Sequence, residues 1–248
     1  MRGVLRRRRR RLPPRRTITG RVERIPAQTV LYLINAVWFK GSWKEPFDEQ
    51  YTKPEDFRLP DGSKQQVPMM RRSDTFAYLE NERFQAVRLR YGEAQRFSMY
   101  VFLPAEEVGL EGFFEGLDGE VWSGWMAGFG DRRGGLQMPR FRVEVGLTLN
   151  DALKALGMGV AFDSSKADLS GIAETSGTLY VDTVRHKVFI EVDEEGTEAA
   201  AATSVAVGLT AERPGAPFSM IVNRPFFCAI RDDVSGALLF VGTVVDPR

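Results

Sequence analysis

Cysteine and histidine are almost missing from this chain: Cys228 and His186 are the only ones in 248 residues. A single cysteine excludes an intrachain disulfide framework. One histidine and one cysteine also leave no metal-ligand cluster built from those two residue types. The sequence contains no Gly-x-Ser-x-Gly and no glycine-rich phosphate loop set between a strand and a helix. A hydrolase needs a nucleophile and a base that the chain does not offer, so it does not read as an enzyme, and no cofactor or metal is expected. Proline is absent from Glu194 through Arg213. A long proline-free stretch keeps every backbone N–H available for a strand ladder.

What is present in excess is arginine at the front. Residues 1–16 hold nine arginines, six of them consecutive from Arg6 to Arg11, and then Leu12-Pro13-Pro14-Arg15-Arg16. The formal charge of +1 therefore hides a body of 25 Lys+Arg against 33 Asp+Glu, a net of −8. No apolar run follows the arginines, so this segment is neither a signal peptide nor a membrane span. One reading is an arm that contacts a polyanion through Arg6 to Arg11. The other is a disordered or misassigned leader. The second is preferred, because no aromatic residue interleaves with the arginines and no nucleic-acid-binding fold follows them.

Beyond residue 16 the texture is α+β. Thr29 to Phe39 is nearly all apolar and reads as a strand buried on both faces. Asp56 to Pro104 reads as several short strands, with turns at Pro60-Asp61-Gly62 and Tyr91-Gly92-Glu93. Leu110 to Met126 carries Phe113, Phe114, Leu117, Val121, Trp122 and Trp125 and suggests short helices broken near Asp118-Gly119. Gly128 to Gly135 looks like a plain surface loop. Asn150 to Gly157 has a helix N-cap, good helix formers and a terminating glycine. Leu179 to Val192 returns to strand and contains His186, whose neighbours Val184, Val188 and Ile190 make it a structural residue rather than a catalytic one. Cys228 lies in the apolar run Phe226 to Ile230 and reads as a buried core thiol.

The segment from Glu194 to Thr203 is the most informative. An acidic turn, Glu194-Glu195-Gly196, leads into Thr197-Glu198-Ala199-Ala200-Ala201-Ala202-Thr203. Read with period two, Thr197, Ala199, Ala201, Thr203, Val205, Val207 and Leu209 share one small-to-apolar face, and Glu198, Ala200, Ala202 and Ser204 lie on the other. The flanks, Gly196 and Glu212 to Pro217, read as exposed loop. A chain patterned as a strand and bracketed as a loop can be either. This segment resembles the reactive-centre loop of the serpins. Met220 to Ile230 resembles that family's C-terminal signature, and Asn35 to Trp43 with Glu45-Pro46-Phe47 resembles its third-strand motif. Gly236 to Pro247 fits the family's close. The resemblance runs from about Thr29 to Arg248.

The resemblance implies a mixed multi-stranded serpin fold over residues 17–248, with the loop at about 194–217 and residues 1–16 outside it. It also implies a chain short at the front: only Thr17 to Gln28 precede the third-strand motif, where a serpin has a block of helices and strands. The implied activity is suicide inhibition of a serine protease, in which the loop is cleaved and then inserts as a new strand. Thr197 to Thr210 is fourteen residues, roughly 46 Å at about 3.3 Å per residue. The hinge comprises Glu194, Gly196, Thr197, Glu198 and Ala199, Ala200, Ala201 and Ala202, and its inward positions carry no charge or proline that would stall insertion. The family spacing puts the reactive bond at Thr210–Ala211, which suits a protease selective for small residues; Arg213 is followed by Pro214, which resists cleavage. Asn35 and His186 match the family pair that bridges two strands of the main sheet, and Arg140 with Glu194, near Trp43, match a pair where the loop enters that sheet. The resemblance further implies a monomer acting outside cells. The alternatives are a serpin piece that is cleaved without trapping and a polyanion-binding protein using the arginine arm.

Overall fold

The computed structural model describes residues 31–172, 178–197 and 216–248. The leader and the loop residues Glu198, Ala199, Ala200, Ala201, Ala202, Thr210 and Ala211 lie outside them. In chain order the first strands are β1 (Tyr32–Trp38), β2 (Gly41–Ser42), β3 (Lys53–Arg58), β4 (Lys64–Glu80), β5 (Phe84–Tyr91) and β6 (Phe97–Pro104). Two helices follow, α1 (Gly109–Phe114) and α2 (Gly119–Gly128), then β7 (Gly130–Pro139), β8 (Phe141–Thr148) and the short α3 (Asn150–Leu153). The last strands are β9 (Thr183–Val192), β10 (Gly196–Thr197), β11 (Phe218–Ile221), β12 (Phe226–Asp232) and β13 (Leu238–Val244). The class is α+β.

The described residues divide into two compact units, one drawn from 31–36 with 147–186 and one from 37–146 with 187–248. The larger unit holds an eight-stranded sheet in the order β11-β7-β4-β5-β6-β12-β13, with β3 paired to β4. The neighbouring strands β6 and β12 are buried on both faces, and strand periodicity sorts their side chains into two cores. From β6, Met99, Val101 and Leu103 enter one core and Tyr100 and Phe102 the other. From β12, Phe226, Cys228 and Ile230 take the first and Phe227 and Ala229 the second. The helices cover that second core with Trp122 and Trp125 from α2 and Phe113 from α1. Asp118 caps α2, its carboxylate accepting from the amides of Glu120 (2.9 Å) and Val121 (2.8 Å). Burial of each such aromatic is worth about 2–3 kcal/mol. Cys228 is a buried free thiol, and burial pushes it up to about 12.

Three local readings of the sequence are corrected here. The Gly128 to Gly135 segment is not a surface loop, because β7 begins at Gly130 and pairs with β4 and β11. Its glycines serve packing: a Cβ on Gly134 would stand 2.2 Å from Cδ1 of Phe218. The strands before Pro104 are not all short, since β4 runs 17 residues and serves β3, β7 and β5 in turn. Strand β1 is not buried on both faces, with Leu33 42% and Trp38 47% exposed; hydropathy gives a strand's appetite for burial, and burial itself needs a second layer.

In the smaller unit Asn150 does not cap α3. Its side chain instead donates to the carbonyl of Asp182 (2.8 Å) and accepts from the amide of Val184 (2.9 Å), tying α3 to the start of β9. The glycine that ends this helical stretch, Gly157, has φ +97°.

A second sheet has the order β1-β9-β10-β2, with β8 also paired to β9. Its shortest members, β10 and β2, carry the site.

Candidate functional site

Strand β9 ends at Val192, and the chain reverses over Asp193 to Gly196. The reversal is an Asx turn: Asp193 Oδ1 accepts from the amides of Glu195 (2.9 Å) and Gly196 (3.1 Å), and the Asp193 amide donates to the Gly196 carbonyl (2.9 Å). Gly196 has φ +151°, and a Cβ there would lie 2.2 Å from the carbonyl oxygen of Gly41. Only glycine fits. The turn delivers β10 antiparallel to both neighbours, with Thr197 opposite Val192 of β9 and opposite Gly41 of β2.

Thr197 is therefore already a sheet residue. It is 0% exposed, and its hydroxyl is 2.7 Å from that of Tyr91. Tyr91 stacks on Trp43 with ring centroids 4.5 Å apart. Burial pushes the Tyr91 phenol well above its ordinary value, and the Thr197 hydrogen bond pulls weakly the other way. Trp43 holds the turn from outside, its indole Nε1 donating to the Asp193 carbonyl (2.9 Å) and its amide to the Glu195 carbonyl (2.8 Å). The Phe47 amide donates to the Glu194 carbonyl at 2.9 Å.

The charge taken inside at this site is Glu194, 2% exposed. Arg140, just after β7, meets both carboxylate oxygens through Nε, at 2.8 and 2.6 Å. The Thr52 hydroxyl donates to Oε1 as well. Arg140 is 40% exposed and also lies 3.7 Å from Glu49. The Glu194 hydrogen bond holds the Arg140 guanidinium above its ordinary value. The carboxylate is thus buried with its charge and its lone pairs satisfied, the condition on which burial of an ion is tolerated.

The structure brings Trp43, Arg140, Glu194, Gly196 and Thr197 together in this one place. Asn35 lies exposed on β1 and His186 half-buried on β9. The neighbouring Arg185 makes a cross-strand link, donating to the Tyr32 hydroxyl (3.2 Å) and the Thr148 hydroxyl (2.6 Å). The sequence reading passed over Asp193, Tyr91 and Thr52. An Asp three residues before a Gly is a legible turn signal; nothing local marks the other two.

Among the described residues no helix is long and apolar enough to cross a membrane, and no group of three or more His, Cys, Asp or Glu is placed to hold a metal. Comparison with known proteins places this geometry in context. The family description "Serpin (serine protease inhibitor)" matches residues 15–247. The chain is 36% identical over 232 residues to Serpin-Z1C of Triticum aestivum, covering 88% of this chain and 56% of that protein. It is 38% identical over 232 residues to Serpin-ZX of Hordeum vulgare, covering 90% and 58%. The structure is similar to that of tengpin, a thermophilic serpin solved in its native state, with TM-score 0.80 and 31% identity over 91% of this chain and 58% of that one. The chain spans little more than half the length of these relatives.

Proposed function

Because this chain belongs to the serpin family, we propose that it inhibits a serine endopeptidase by offering residues 194–217 as bait and inserting them into the five-stranded sheet after cleavage. The observation that carries this reading is Thr197, the first inward position of the hinge, seated between β9 and β2. Insertion continues that pairing. The later inward positions, Ala199, Ala201, Thr203, Val205, Val207 and Leu209, are small or apolar, so none adds the several kcal/mol that burying a charge costs. The Arg140–Glu194 pair and Trp43 act as the fixed post from which the strand grows. The reactive bond proposed is Thr210–Ala211, the target a protease that accepts small residues, and the working species a monomer outside cells.

Incubation of the full chain with elastase-like, subtilisin-like and trypsin-like serine proteases tests this. A complex that survives denaturing electrophoresis, with a released fragment starting at Ala211, is the expected result. Cleavage after Arg213 with trypsin as the best target overturns the specificity. Cleavage by every enzyme with no stable complex overturns trapping. The second reading, a protein cleaved without trapping, is favoured by Leu33 and Trp38, exposed on the very strand that insertion would have to displace.

A further inference from the structure

Next to the hinge post lies a cavity of about 180 Å³ whose wall includes Trp43, Lys44 and Glu45 after β2, Arg72 and Asp74 to Ala77 of β4 and Arg88 to Arg90 of β5. It is larger than the ~150 Å³ engineered cavity that holds benzene, but its walls are polar. Four cations face it, Lys44, Arg72, Arg88 and Arg90, against three carboxylates, Glu45, Asp74 and Asp131. The carboxylates are poorly spent on those cations. Lys44 reaches Glu45 only at 3.7 Å and Arg72 reaches Asp74 only at 3.8 Å. Arg88 donates to the Tyr100 hydroxyl, and neither it nor Arg90 pairs directly with a carboxylate among the described residues. The Nε atoms of Arg72 and Arg88 are buried with no hydrogen-bond partner. Burial lowers the Arg72 guanidinium to about 10, the mark of a cation short of counter-charge.

We propose that this cavity binds a compact oxyanion, carrying phosphate or clustered carboxylate groups, and that its occupancy stiffens the hinge turn. Planar guanidinium forks suit such groups. The coupling is built into one short segment. Arg72 donates to the Glu45 carbonyl and lies 5.1 Å over the Phe47 ring. Phe47 in turn donates its amide to the Glu194 carbonyl, while Trp43, at the other end of the segment, holds the carbonyls of Asp193 and Glu195. An anion that fixes Arg72 and Lys44 thereby fixes residues 43–47, and these hold the turn. The proposal goes beyond the inhibitory reading and does not need it, since it concerns binding to the uncleaved chain.

The test is titration of the full chain with inorganic phosphate and, separately, with citrate at constant ionic strength, read by calorimetry and by amide hydrogen exchange. Saturable binding of one anion per chain is expected. Exchange at the amides of Glu195 and Gly196 should slow at least threefold, with those of β12 unchanged. Arg88→Gln combined with Arg90→Gln is expected to weaken binding at least tenfold, and Arg90→Lys to retain most of it. Should the double variant not fold, Lys44→Gln provides the comparison, with at least threefold weakening expected. Binding that does not saturate, or that persists unchanged in the charge-removed variant because it resides on Arg6 to Arg11, overturns the site. Saturable binding that leaves hinge exchange unmoved overturns the coupling.

Discussion

Strands β6 and β8 are each eight residues long and are built on opposite terms. In β6 every residue after Phe97 is buried, its side chains divided between two cores. In β8 only Phe141 is buried, and most of its other residues are exposed. The eight-stranded sheet is committed to one arrangement, because any slip would move large aromatics from one core to the other. The five-stranded sheet has much less burial to lose from a change of partners, and it is held instead by a few polar contacts at one end. Regions that rearrange are drawn from the low-burial end of a structure.

That contrast can be broken most directly by mutation. Phe102→Ala in β6 is expected to cost about 3–5 kcal/mol, whereas Val188→Ala at a half-buried position in β9 costs about 1 kcal/mol. Denaturant unfolding of both variants decides it, and equal losses would mean that the two sheets are equally committed. Next in size is the charge at the post. Glu194→Gln is expected to cost about 2–3 kcal/mol, below the usual loss for a broken buried pair because Arg140 is 40% exposed. The effect on hydrogen exchange should concentrate at residues 193–197. Gly196→Ala follows, at about 1–3 kcal/mol for the disfavoured backbone and the clash with Gly41, again read as faster exchange in the turn. A stability unchanged in this variant would show that the turn carries no strain.

Thr197→Val keeps the shape and removes the hydroxyl opposite Tyr91, so about 1 kcal/mol is expected. A double-mutant cycle with Tyr91→Phe isolates that term. The last effect is confined to alkaline solution. Cys228 ionises near 9 when unfolded and at about 12 when folded, so between those values the unfolded chain has lost a proton that the folded chain keeps. Stability then falls as pH rises. Comparison of wild type with Cys228→Ala should show a shallower alkaline decline in the variant and parallel behaviour below pH 9.

Much of this was legible in residues whose function is local. Asp118-Gly119 marked the break between two helices, where the Asp118 cap acts within three residues, and Gly62 and Gly92 marked turns because each needs positive φ where it stands. The Phe226 to Ile230 run marked Cys228 as a core thiol, and every residue of the run is buried. Arg140 and Glu194 were named only through family likeness; their 54-residue separation leaves no trace in periodicity. Tyr91 and Thr52 escaped for the same reason, since each gains its meaning from a partner more than 100 residues away. Gly134 misled because a glycine that accommodates a ring looks the same as a glycine that loosens a loop. Leu33 and Trp38 misled because apolarity records what a strand would bury, not what lies over it.

The seated Thr197 has a kinetic consequence. Starting a strand is the slow part of adding one, because the first pairing must close a loop and find its register before any further contact repays it. For the insertion proposed above, one residue is in register with both neighbours beforehand, so what would remain is elongation, one residue pair after another from a fixed origin. Such a process behaves as a zipper with its slider already engaged: its direction is set and it cannot begin at a wrong tooth. In the proposed mechanism its clock starts when cleavage releases the far end.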